Sequence, residues 1–246
     1  MPGMGEFAAA LAIVLVAGGV SGLAGFGFGL VAVPPLLLLF EPASVVTMTK
    51  VLTLATAWVI LRGQRGRIHL RVVAGLVPWA VAGMVVGIAV LKLADPAAIK
   101  LLASVVVVLF ALVLLRGWHP RGVHSPVATA LAGALSGTLS TSTGLSGPPV
   151  VMLFAARDVE PTSFRVTLTA YFAIIDAVGL GLLLASRSID RDHLILAAAL
   201  IPAAIAGRAG GRAFADRISP ATFRRVTLAL LLLTGATGIL SALIAH

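Results

Sequence analysis

Six stretches of about twenty apolar residues, at roughly 43–62, 70–91, 97–116, 164–186, 193–211 and 221–245, are separated by short polar segments. Each has the length a helix needs to cross the hydrocarbon core of a bilayer, about 30 Å. A soluble domain cannot hide so many. With 59% hydrophobic residues over 246 positions and a mean hydropathy of +1.09, the apolar surface exceeds what one core of this size buries. The solvent is therefore lipid, and the expected fold class is an all-α polytopic membrane protein. The opening "MPGMGEF" has no basic n-region, so a polytopic chain is expected rather than one with a cleaved signal peptide. There is no cysteine, which removes disulfides, thiolate metal sites and iron–sulfur clusters, and no cofactor is expected. The net charge of +9 sits in short loops between apolar runs, where the positive-inside rule accounts for it, so no nucleic-acid partner is expected.

Two further apolar regions, about 7–40 and 126–156, are too long for one crossing and are interrupted by small residues. The interruptions read "GGVSGLAGFGFGLVAVPP" from Gly18 and "SGTLSTSTGLSGPP" from Ser136. Each region is either one broken crossing or a hairpin whose ends share a side, and basic residues decide between them. If both are hairpins, thirteen arginines fall on one side: Arg62, Arg65, Arg67, Arg71, Arg116, Arg121, Arg157, Arg165, Arg208, Arg212, Arg217, Arg224 and Arg225. The other side, which also holds both termini, receives only Lys92, Lys100, Arg187 and Arg191. Single crossings would leave no bias. Because basic loop residues set orientation, the hairpins are preferred, with the arginine-rich side cytoplasmic and both termini outside.

The chain also repeats itself. "LVPWAVAGMVVGIAVLKLADPAAIK" from Leu76 aligns without gaps on "LIPAAIAGRAGGRAFADRISPATFR" from Leu200, matching Pro78 with Pro202, Gly83 with Gly207, Gly87 with Gly211 and Pro96 with Pro220. The hairpins correspond more weakly, with Ser21-Gly22 on Ser136-Gly137 and Gly29-Leu30 on Gly144-Leu145. Residues 1–122 and 123–246 are thus read as two repeats, each one re-entrant or interrupted hairpin plus three transmembrane helices. Three crossings is an odd number, so the repeats are expected to be inverted. Inverted repeats built on interrupted helices are a plan of secondary transporters, with the substrate near the midplane, although channels use them too.

The glycines permit a turn inside the membrane, where backbone is tolerated only beside protein or water. A returning helix then aims unpaired N–H groups and the positive end of its dipole at the midplane, which suits an anion. The candidate substrate residues are Gly25, Phe26, Gly27, Phe28 and Gly29 in the first tip. In the second they are Ser140, Thr141, Ser142, Thr143, Gly144, Ser146 and Gly147. The hydroxyls would act as neutral donors and the phenylalanines as walls or a gate. The alternative is that these glycines serve close helix packing.

"GLAGFGFGLVAVPPLLLL", its relative "GALSGTLSTSTGLSGPPVVMLF" and the "AGxxxG" at Ala82–Gly87 and Ala206–Gly211 resemble the TauE/SafE family of sulfite exporters, over nearly the whole chain. The resemblance implies a carrier in a bacterial-type inner membrane for sulfur oxyanions or small organosulfonates such as sulfite or sulfoacetate, driven by an ion gradient. Hairpin one carries Phe and Gly where hairpin two carries Ser and Thr, so the resemblance does not imply equal roles for the tips.

Several charges fall within the apolar runs. Asp176 lies near the middle of its helix and is a candidate proton carrier, or else a neutral hydrogen-bonded acid, or the ion-pair partner of Lys50. Lys50 lies about two turns inside its helix, where it neutralises an anionic substrate or snorkels outward. Arg165, Arg208 and Arg212 are placed as loop or vestibule charges that gather anions on the cytoplasmic side. His69, His119, His124, His193 and His246 fall in loops or at the end, so no intramembrane metal site is expected. The expected partners are a small anion, the lipid bilayer and a coupling ion, proton or sodium. Gly83, Gly87, Gly207 and Gly211 leave a homodimer open. A passive anion channel is the alternative function. An integral membrane enzyme is disfavoured by the lack of clustered His, Cys or paired carboxylates.

Overall fold

The computed structural model describes residues 3–62, 64, 67–116, 125–157, 160–214 and 220–244, with side chains for all of these except 161, 220–226 and 241–244. Arg65, Arg121, Arg217, His119, His124 and His246 lie outside the described residues, as do the side chains of Arg224 and Arg225. The described residues form helices and no strand. In chain order these are α1 (Met4–Ala24), α2 (Phe28–Leu39), α3 (Pro42–Leu61), α4 (Leu70–Leu93), α5 (Pro96–Arg116), α6 (Pro126–Ser142), α7 (Gly147–Ala155), α8 (Pro161–Ala185), α9 (Arg191–Ala199), α10 (Ile201–Phe214) and α11 (Pro220–Ile244).

Five helices, α1, α3, α4, α5 and most of α8, are long and apolar enough to cross a membrane. The span expected at 193–211 is not one helix but two, α9 and α10, bent by 42° at Leu200. The Leu200 N–H donates to the Ala197 carbonyl at 3.2 Å, which tightens the end of α9. Two residues later Pro202 has no N–H with which to continue the ladder. The first arm of hairpin one is itself long. The 21 residues of α1 extend over roughly 30 Å, so its tip reaches well into the bundle.

Left-handed glycines make both tips. Gly25 (φ +81°) closes α1, its N–H donating to the Ser21 carbonyl at 2.8 Å, and Gly27 (φ +93°) caps α2. Gly144 (φ +82°) follows the last turn of α6. Pro148 and Pro149 occupy the first turn of α7, where a missing N–H leaves no bond unmade. Pro34 and Pro35 instead fall inside α2.

The two hairpins open at opposite ends of the bundle. Glu6 of α1, Glu41 after α2, and Asp190, Asp192 and His193 around the start of α9 line one surface cavity. Lys92, at the end of α4, donates to the Ser186 carbonyl after α8, so these elements share that end. At the other end Arg157, following α7, donates to Thr129 in α6 at 2.6 Å, and the His69 N–H before α4 donates to Thr167 in α8 at 3.1 Å.

The halves exchange partners. The most extensive packing is of α4 on α6 and of α1 on α10, so each hairpin docks on a helix of the other half. A Cβ added to Gly18 would fall 2.9 Å from the Ala204 carbonyl oxygen, and one on Gly133 would fall 2.7 Å from that of Leu76. At Gly22, Gly83, Gly87, Gly137, Gly207 and Gly211 the collision with facing backbone would be closer still. Small residues let the helix backbones touch, which supplies dispersion contact where lipid offers no hydrophobic drive.

This packing corrects the hairpin correspondence by one helical turn. Gly83 meets Ala134 and Gly87 meets Thr138, while Gly207 meets Leu15 and Gly211 meets Gly19. With Gly83 matched to Gly207, the hairpin positions that agree are Gly18 with Gly137 and Gly25 with Gly144. A slip of four residues keeps the same helix face toward the partner, so the small-residue pattern alone does not fix register. The left-handed tips do. The same spacing matches "EPAS" at 41–44 with "EPTS" at 160–163, a repeat legible in the sequence that opens α3 and α8 with a glutamate N-cap and a proline at the first position.

Candidate functional site

The tips meet inside the bundle. A Cβ on Gly29 would lie 2.8 Å from the Gly144 carbonyl oxygen, and between the tips is a small cavity of about 30 Å³. From hairpin one it is lined by Ser21 and by Gly25, Phe26, Gly27, Phe28, Gly29 and Leu30. From hairpin two come Gly144, Leu145, Ser146 and Gly147, and from the surrounding helices Thr49, Thr53, Phe172, Asp176 and Arg208. The N-termini of α2 and α7 therefore open into one space. Their donors are unequal, because Pro148 and Pro149 have no N–H while the first turn of α2 has no proline.

The hydroxyls of hairpin two divide by role. Thr141 donates to the carbonyls of Met84 and Gly137, Ser142 to that of Thr138 and Thr143 to that of Leu139. Of these three only Thr141 ties α6 to another helix, α4, and none of them lines the cavity. Ser140 accepts from the Lys50 ammonium at 2.7 Å, and only Ser146 of the proposed hydroxyls lines the cavity. Phe28 is buried against the cavity, and Phe26 packs edge-on against Phe164 with centroids 6.1 Å apart.

Lys50 does not snorkel. It is 1% exposed and its Nζ lies 3.4 Å from Asp176 Oδ1, itself in a buried residue, so the ion-pair alternative describes these two groups. Arg208 is placed differently from the sequence expectation. It is no vestibule charge but 2% exposed and lines the cavity, with Nη1 donating to Thr56 Oγ1 at 2.7 Å. Its Nε has no hydrogen-bond partner. The cause is local: Gly18 and Gly22 bring α10 so near α1 that the backbone of Arg208 touches them, and the side chain has only the bundle interior to enter. At the aligned position of the other half stands Met84, also buried, so the charge belongs to one half alone. Arg165 lies beside tip one, its Nη2 donating to the Gly22 carbonyl at 3.0 Å, while Arg212 is exposed.

Two buried basic groups and one buried acid thus face or flank a space into which two helix N-termini point. Such a space suits an anion small enough to lie between the tips. Among the described residues no group of three or more His, Cys, Asp or Glu side chains could hold a metal ion.

Residues 10–237 match the family described as sulfite exporter TauE/SafE. The chain belongs to the TauE/SafE family. Within that family of membrane exporters, a protein of Cupriavidus necator named "Probable sulfite/organosulfonate exporter TauE" is 29% identical over 228 residues, covering 89% of this chain and 88% of the relative. No solved structure matches the chain. As a TauE/SafE member this multi-pass chain is a membrane transporter and not an enzyme. The family match spans both hairpins and the cavity between them.

Proposed function

We propose that the chain exports a small sulfur-containing anion, sulfite or an organosulfonate such as sulfoacetate, across the inner membrane, and that the cavity between the hairpin tips is its binding site. The observation that carries the reading is Arg208, a buried guanidinium whose Nε lacks a partner at the mouth of two helix N-termini. The match to the relative from Cupriavidus necator supports the substrate class.

Transport proceeds by alternating access. Residues 1–122 and 123–246 act as inverted repeats, and the exchange of packing partners between halves lets each hairpin move with the helix it docks on. Asp176 couples the anion to an ion gradient, its charge state setting how strongly the cavity holds a negative group. Both termini face the extracytoplasmic side, in keeping with the arginines at the opposite end. The protomer contains a complete cavity, so pairing into a homodimer would serve packing and not the site.

The test is thermal unfolding of the purified protein with sulfite, sulfoacetate, taurine, sulfate, chloride and acetate, followed by counterflow of the stabilising anion in liposomes. Selective stabilisation by a sulfur anion with counterflow supports the reading. Equal, weak effects of all anions sink it, and flux without counterflow makes the protein a channel.

A further inference from the structure

The Lys50 ammonium stands in a pocket of oxygen ligands. Its Nζ is 2.7 Å from Ser140 Oγ on α6 and 3.4 Å from Asp176 Oδ1 on α8. The pocket has room for it because position 179 has no side chain: a Cβ on Gly179 would fall 2.9 Å from Nζ and 3.1 Å from Cε. Gly179 lies three residues after Asp176 on the same face of α8, so one helix supplies both the carboxylate and the space. Ser140 lies in the last turn of α6 before tip two, so the ammonium joins a hairpin to the helices around it.

Carriers coordinate their cations through oxygens at the ends of helices interrupted inside the membrane, and here a carboxylate and a hydroxyl face each other across a buried gap, the hydroxyl in the last turn of α6 before tip two. Here the cation is attached to α3 by a side chain. A carboxylate at this depth persists as an anion only with a positive partner, and Lys50 provides it. Among the described residues the other charged group facing Asp176 is Arg208 from α10, which lines the same cavity.

We propose that Lys50 is a tethered cation occupying, between Asp176 and Ser140, the position at which a sodium-coupled carrier would hold its ion, so that this chain moves its anion without sodium. The proposal rests on the carrier reading above for its consequence, while the pocket can be tested without it. Between the two coupling ions expected from sequence, it leaves the proton.

The experiment is thermal unfolding of the full chain at fixed pH in sodium chloride against choline chloride, for the wild type, Lys50→Ala, and Lys50→Ala combined with Asp176→Asn. The wild type is expected to unfold at the same temperature in both salts. Lys50→Ala, with an emptied pocket and an unpaired carboxylate, is expected to gain about 5–10 °C from sodium at 100 times its dissociation constant and nothing from choline. The double variant is expected to gain nothing from either. Sodium-specific stabilisation of the wild type overturns the proposal, as does its absence in a folded Lys50→Ala protein. If Lys50→Ala does not fold, counterflow by wild-type liposomes decides: equal rates in sodium and choline support the proposal, and a twofold or greater stimulation by sodium overturns it. Loss of all anion binding would instead strike the carrier reading and leave the sodium titration interpretable.

Discussion

Arg208 Nη1 donates to Thr56 Oγ1 at 2.7 Å, across the contact between α10 and α3. The bond holds the guanidinium plane in one orientation, while Nε has no hydrogen-bond partner. A planar fork suits an oxyanion where a point charge does not. Arg208→Lys is expected to fold but to lose stabilisation by sulfite. Thr56→Val, which frees the guanidinium to turn, is expected to weaken sulfite binding about tenfold, the order of one charge-assisted hydrogen bond. Unfolding temperature against sulfite concentration reads both, and an unchanged Arg208→Lys removes Arg208 from the site.

Removing one member of a buried ion pair costs more than removing both. Asp176→Asn leaves the buried Lys50 ammonium without its countercharge, and a destabilisation of about 3–5 kcal/mol is expected. Lys50→Met with Asp176→Leu is expected to regain most of it without regaining counterflow. In the cycle of Lys50→Met, Asp176→Leu and their combination, single losses that simply add in the double variant would show that the pair is not coupled.

The interface of small residues predicts a contrast between glycines. Gly137→Ala drives a methyl group into the Ala80 backbone and is expected to cost about 1–3 kcal/mol. Gly181→Ala, with nothing within 4 Å, is expected to be neutral or to stabilise by up to about 1 kcal/mol through helix propensity. Unfolding of the two variants side by side checks the pairing of α6 with α4.

At the start of α8, backbone N–H groups of Thr162 and Ser163 donate to the Glu160 carboxylate and hold its pKa at about 2, below the ordinary 4.5. A lowered carboxyl pKa stabilises the fold fully above 4.5, and that contribution is lost as pH falls from 4.5 towards 2. Glu160→Gln is expected to flatten this part of the pH profile of unfolding. An unchanged profile would mean the cap is not formed.

Orientation is open to direct labelling, since the chain has no cysteine and each introduced thiol reports alone. Asp95→Cys is expected to react with an impermeant maleimide from outside, and Arg67→Cys only after the membrane is opened. The reverse pattern would place the termini inside.

Much of the fold was legible because it depends on short-range chemistry. Apolar length locates the spans, glycines at 25, 27 and 144 locate the turns, and prolines at 148 and 149 locate the start of a returning helix. The bend at Leu200 was less accessible, because Pro78 at the matching position sits inside an unbroken α4. Where the hydroxyls of "STST" turn was likewise less accessible. A hydroxyl on a helix finds a carbonyl one turn back without outside help, and Thr141, Ser142 and Thr143 all do so.

The sequence by itself determined that this chain lies in a membrane and that two of its apolar segments are interrupted at glycines, because both follow from composition and spacing along the chain, and its motifs carry the family resemblance. Only the tertiary structure decided that Arg208 enters the site, that Lys50 turns to Asp176, and that each hairpin docks on the opposite half. A helix offers every residue the same backbone, and which face meets lipid, water or protein is set by a partner helix far away in sequence. For Arg208 that partner is α1, whose Gly18 and Gly22 leave no gap through which the side chain could reach the surface.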